Sequence, residues 1–139
     1  MAMNCPFLFV YGTLMRGQQN ELLRHCEAAL VGRGTIQAKL YDLGEYPGAK
    51  TDHRQQVKGE LYHLPNQPKT LALLDDYEGF VSLRRLSSLF VRERAEVSLE
   101  DGSTETAWVY FYNQPVDESR LIPDGDYRSG VRGKKADIA

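Results

Sequence analysis

An α+β domain built on a mixed, strongly curved or barrel-like β-sheet with flanking helices is the fold this sequence predicts, and three observations predict it. About five or six segments carry strand patterning, and only about two carry helical patterning. Several strand segments contain internal glycines, which mark bulges or sharp bends. The 139 residues, 42% of them hydrophobic, suffice for one core without disulfide staples. No repeat, low-complexity linker or compositional shift divides the chain, so one domain over residues 1–139 is expected.

"FLFVY" (residues 7–11) is a continuous apolar run of strand length. Apolar faces on both sides place it in the middle of the sheet. Asn20 can cap a first helix whose Leu22, Leu23, Cys26, Ala29 and Leu30 fall on one face. "LVGRGTIQAKLYDL" reads as a long strand bent at Gly32 and Gly34, followed by the turn "GEYPGA". "QQVKGELYHL" is the next strand, and after "PNQP" the run "KTLALLDDYEG" is the second helix, with Pro68 at a natural first position and Gly79 as its stop. "LSSLFVRERAEVSL" and "ETAWVYFY" form a hairpin around the Asp-Gly pair of "EDGS". Trp108, Tyr110 and Tyr112 share one face of the last strand, and Ala107, Val109 and Phe111 the other. Two apolar faces indicate an interior strand, in which a buried Tyr110 requires a hydroxyl partner. Residues 128–139, "RSGVRGKKADIA", lack patterning and are expected to form a flexible tail.

The charge balance of 17 basic and 19 acidic residues, without long runs of either sign, offers no footprint for nucleic acid or an anionic membrane. A small polar molecule is the expected partner; oligomeric state does not follow from the sequence. No apolar run approaches the ~20 residues needed to span a bilayer, and "MAMNCP" has no secretory pattern. With only Cys5 and Cys26, both expected reduced, the sequence suggests a soluble cytoplasmic protein. His25, His53 and His63 lack zinc-ligand spacing, so no metal is expected.

Two places can carry chemistry. Gly12 to Gly17 have the spacing of a phosphate loop, but Gln18 and Gln19 stand where Lys and Ser/Thr would be needed. A plain turn remains, or a row of backbone N–H groups able to hold a carboxylate or an oxyanion. The second place is the cluster Asp75, Asp76 and Glu78. At 100° per residue Glu78 falls at about -20°, between Leu71 at 0° and Leu74 at about -60°. Asp75 lies at the edge of that apolar arc and Asp76 outside it. A carboxylate on the core side would have a raised pKa, as suits a general base near neutrality; if the helix frays at "YEG", Glu78 is solvated instead. Glu60 reads as a surface or structural carboxylate. Tyr46 and Pro47 can wall a pocket or simply make a turn.

Together "FVYGTLMRGQQN", "YDLGEYPGA", "VKGELYHL", "LLDDYEGF" and "AWVYFY", in this order, resemble the γ-glutamylcyclotransferase-like family, and most nearly its γ-glutamylamine cyclotransferase branch. The resemblance implies a barrel-like core and cofactor-free closure of a γ-glutamyl group to 5-oxoproline with release of an amine. It also implies Glu78 as the catalytic residue, Tyr11, Gly12, Thr13 and Leu14 as the substrate cradle, and Tyr46, Pro47 and Tyr110 as pocket walls. The sequence departs from the family where a tyrosine and, two residues on, an arginine usually follow the glutamate. Phe90 and Arg92 are the nearest equivalents, displaced by "FVSLRRLSS", an insertion or rearranged lid. Three readings follow: a cyclotransferase acting on γ-glutamylamines or related amides, a lyase removing a γ-glutamyl protecting group, or a non-catalytic module binding small carboxylates.

Overall fold

Strand β1 (Phe7–Val10) runs between β3 (Pro47–His63), antiparallel to it, and β5 (Thr104–Tyr112), parallel to it. The computed structural model describes residues 5–12, 21–65 and 67–127. β5 pairs with β4 (Phe90–Leu99), β4 with β2 (Ala29–Asp42), and β2 with β3 again, which closes a mixed five-stranded barrel. A short β6 (Leu121–Ile122) extends β2 on its outer side. The central position predicted for the first apolar run is thus the observed one, with Leu8, Phe9 and Val10 buried.

Three boundaries differ from the sequence reading. Helix α1 spans only Glu21–His25. Glu27 turns to a φ of 59°, while Ala28 N–H bonds the Leu23 carbonyl and Glu27 N–H the Arg24 carbonyl. This left-handed closure ends the helix early. Ala29 and Leu30, read as helix-face residues, therefore belong to β2 and are exposed. The Asn20 cap lies outside the described residues. β3 starts at Pro47 and not at Gln55, because the turn closes within residues 43–46, where Leu43 N–H bonds the Tyr46 carbonyl. β4 starts at Phe90, since Ser82–Ser87 coil into a 3-10 helix kinked at Arg84.

Closing a five-stranded barrel brings backbones close, and glycines permit it. A Cβ on Gly59 would lie 2.2 Å from the Val10 carbonyl oxygen and 2.6 Å from the Phe9 ring. Gly59→Ala should therefore lower unfolding free energy by about 3 kcal/mol in denaturant titration, since neither backbone nor a packed ring can step aside cheaply. Glu60 is structural: it is 1% exposed and accepts a hydrogen bond from the Tyr62 hydroxyl at 3.0 Å.

Candidate active site

Helix α2 (Gln67–Glu78) carries the candidate carboxylates. Thr70 ties its first turn back to the Pro65 carbonyl. At the other end Gly79 adopts a φ of 72°, with Gly79 N–H on the Asp76 carbonyl and Phe80 N–H on that of Asp75. A glycine-closed terminus with buried Phe80 beneath it fixes the last turn, so Glu78 does not sit on a frayed end. Leu74 is buried and Leu71 partly so, as the wheel predicts, whereas Leu73 and Tyr77 are exposed. The inward arc is narrower than the one drawn from sequence.

Asp75 turns inward with Glu78, beyond the edge position assigned to it. Arg92 of β4 grips it in a two-pronged bond, Nε to Oδ1 at 2.7 Å and Nη2 to Oδ2 at 3.1 Å. The Tyr110 hydroxyl donates to Asp75 Oδ1 at 2.6 Å, which meets the need for a partner. The guanidinium carbon of Arg92 lies 4.5 Å from the Trp108 ring centroid and 5.9 Å from that of Phe80. Burial pulls the Arg92 pKa down, and the bonds and charge of Asp75 more than reverse that. Burial raises Tyr110, and its bond to Asp75 adds to the rise.

Glu78 is half-buried, and burial pushes its carboxyl up to about 7. Among the described residues its carboxylate has no hydrogen-bond or ion-pair partner. Its charge reaches the hydroxyls of Tyr11, Tyr46 and Tyr110, adding to the upward shift that burial gives each. Three strand or turn elements therefore face this one side chain.

Tyr11 and Gly12 stand at the end of β1. The Tyr11 hydroxyl donates to the Tyr110 carbonyl at 2.6 Å and accepts from Ala49 N–H at 3.1 Å, which ties β1, β3 and β5 together under the site. Gly12 is buried, and a Cβ there would lie 2.5 Å from Pro47 Cγ. Pro47 thus closes against the end of β1. Thr13 and Leu14 lie outside the described residues. Tyr46, half-buried, leads a row of rings: its centroid is 5.8 Å from that of Phe90, which is 5.3 Å from that of Tyr112. So Tyr11, Gly12, Tyr46, Pro47, Glu78 and Tyr110 are brought to one region.

Two other hollows, of about 450 and 440 Å³, lie elsewhere on the barrel, around Glu60 and Asp126 and around His53 and Pro123. Neither is lined by Glu78. Among the described residues, no group of three or more His, Cys, Asp or Glu side chains is placed to hold a metal, and no helix is long and apolar enough to cross a membrane.

Residues 8–129 match the model of the family described as gamma-glutamyl cyclotransferase, AIG2-like. The chain belongs to this family. Among its relatives in the γ-glutamylcyclotransferase family is the gamma-L-glutamyl-butirosin B gamma-glutamyl cyclotransferase of Niallia circulans, 34% identical over 136 residues, covering 94% of this chain and 85% of that one. The gamma-glutamylcyclotransferase family protein YtfP of Escherichia coli K12 is 37% identical over 121 residues, covering 86% of this chain and 94% of its own. The crystal structure of an AIG2-like protein from Mus musculus superposes with a TM-score of 0.69 at 29% identity, over 90% of this chain and 89% of that one.

Within this γ-glutamylcyclotransferase fold, the pairing of Asp75 with Arg92 was not foreseen. The signal was available: the tight hairpin at Asp101-Gly102 sets the register that puts Arg92 opposite Tyr110 and Phe90 opposite Tyr112. The "FVSLRRLSS" segment is stitched down, with the Ser88 hydroxyl on Val81 and Arg84 and the Asn113 amide donating to the carbonyls of Arg85 and Ser88. Arg85 also pairs with Glu93.

Proposed function

We propose that this protein converts a γ-glutamylamine or related γ-glutamyl amide to 5-oxoproline and a free amine, with Glu78 as the proton carrier. The observation that carries the reading is Glu78 itself: a half-buried carboxyl, pushed up to about 7, on a fixed helix end, with no partner among the described residues. Membership in the γ-glutamylcyclotransferase family supports the reaction class.

The chemistry runs as follows. The substrate's α-amine nitrogen attacks its own γ-carbonyl carbon, and Glu78 accepts the proton that this nitrogen loses. The amide C–N bond then breaks, and Glu78 returns the proton to the departing amine. Atoms and charge balance, and no oxidation state changes. A pKa near 7 suits both duties, since the same group must be a base in one half and an acid in the other. Ring closure is intramolecular, so holding the substrate folded supplies much of the rate. The end of β1 at Gly12, beside Pro47, is the proposed seat of the substrate's carboxylate or oxyanion. Tyr11 and Tyr110, whose hydroxyls are held by protein groups, shape the wall.

A second reading shares the chemistry and differs in the amine. The relative from Niallia circulans is named for γ-glutamyl butirosin B, which favours removal of a γ-glutamyl group from a biosynthetic intermediate. The test is a panel of γ-glutamyl amides incubated with purified protein, with 5-oxoproline measured by chromatography. Release from at least one amide is expected. Binding without release from any amide would replace both readings with a carboxylate-binding module.

A further inference from the structure

Register across the β4–β5 hairpin fixes what stands opposite Glu78. Arg92 and Tyr110 are paired, and both hold Asp75. Beyond Glu78, the Gly79 carbonyl accepts from Leu89 N–H, and the Leu89 carbonyl from Asn113 N–H. Glu78 lies between these two ties along α2, so it is level with the pair between them, Phe90 and Tyr112. These rings continue to Tyr46, whose hydroxyl already feels the charge of Glu78. The rings of this ledge are tilted, at 56° between Tyr46 and Phe90 and 66° between Phe90 and Tyr112, with Phe90 buried between the two tyrosines, and a Cβ on Gly48 would lie 2.7 Å from Tyr112 Cβ, so glycine there makes room for Tyr112.

Such a ledge suits one part of the substrate. The glutamyl end carries an ammonium and a carboxylate, which call for polar partners. The carbon body of the leaving amine is what remains, and it departs from the same carbonyl that Glu78 serves. Tyr46 and Tyr112 are half-buried, and among the described residues their hydroxyls have no hydrogen-bond partner. Apolar ring surface with free hydroxyls at its rim matches a ring that bears polar substituents.

Resting on the function proposed above, we infer that Tyr46, Phe90 and Tyr112 form the leaving-group subsite and select γ-glutamyl amides whose amine is a ring carrying hydroxyl or amino groups. Ammonia or a short alkylamine would leave the ledge unused.

The test compares the γ-glutamyl amides of glucosamine, cyclohexylamine and ethylamine, by kcat/KM for 5-oxoproline release and by calorimetric Kd. Wild type should favour both rings over ethylamine by about 10-fold, with the amino sugar first. Tyr112→Leu, at a half-exposed site, and Phe90→Leu should each cut the ring preference about 3- to 10-fold while leaving the ethylamide nearly unchanged. Tyr112→Phe should lower the glucosamide alone. Equal losses on all three amides, or no ring preference in wild type, would overturn the subsite. If no amide is turned over, the proposed reaction fails, and the Kd values alone then decide the ledge: a ring preference abolished by Tyr112→Leu upholds it, and its absence removes it.

Discussion

Glu78→Gln should lower turnover of γ-glutamyl amides by about 100-fold or more while leaving the fold intact. The amide keeps the shape of the side chain but can neither take the proton from the α-amine nor return it to the leaving amine. A substitution near a site usually raises KM; here the loss should fall on kcat, because substrate binding does not require the proton transfer. Turnover within about threefold of wild type would remove Glu78 from the mechanism.

The same residue makes activity and stability run in opposite directions with pH. Glu78 must be ionised to act as the base, so kcat/KM should rise through about pH 7 and then level. In the folded chain the carboxyl holds its proton up to about 7, against an ordinary value of 4.5. The native state therefore binds more protons than the unfolded chain in that window. Its contribution to stability is complete below 4.5 and is lost as pH rises through about 7. Glutamine does not ionise, so Glu78→Gln should be more stable than wild type at pH 8, on the order of 2 kcal/mol after allowing for partial exposure, and the gap should close near pH 4. Denaturant titrations at the two pH values measure it. An inactive variant that gains stability only at alkaline pH would place the cost of burying the charge at the candidate site.

Much of this arrangement is legible in the sequence because its signals are local. The apolar run at Phe7 needs no context to be central, Gly79 is a helix stop by its own conformational freedom, and Glu78 falls between Leu71 and Leu74 by helical geometry alone. What escaped depends on contacts between elements. The inward turn of Asp75 exists because Arg92 and Tyr110, 17 and 35 positions away, meet it. The early end of α1 at His25 hangs on the left-handed turn of Glu27, a residue that carries no such preference. The 17-residue β3 could not be read either, because its polar stretch from Asp52 to Gln56 lacks an apolar alternation, and the strand is anchored on β2 to either side of it, through Pro47 to Thr51 and again from Gln56 onward.

Arg92→Leu is expected to destabilise the protein by about 2–3 kcal/mol, at the lower edge of what breaking a buried pair costs, since Arg92 and Asp75 retain 19% and 21% side-chain exposure. Three losses coincide: the two-pronged bond to Asp75, the stacking on Trp108 and Phe80, and the neutralisation of a carboxylate one helical turn from Glu78. The last has a signature that a merely structural role would not produce. The charge of Glu78 reaches Tyr11 at the end of β1, Tyr46 from the turn before β3 and Tyr110 from β5, and Asp75 lies one helical turn before it on α2, paired with Arg92. Without it Asp75 stands as an uncompensated negative charge, and a second negative charge nearby becomes harder to form. The rising limb of the pH profile should therefore move to higher pH in Arg92→Leu and return toward the wild-type position in the double variant Asp75→Asn with Arg92→Leu. Arg92→Lys should keep the limb near its wild-type position but lose part of the stability, because an ammonium retains the charge and forfeits the fork and the stacked plane. A limb that stays in place in all three variants would leave Asp75 and Arg92 as a clamp between helix and barrel with no hold on the proton of Glu78.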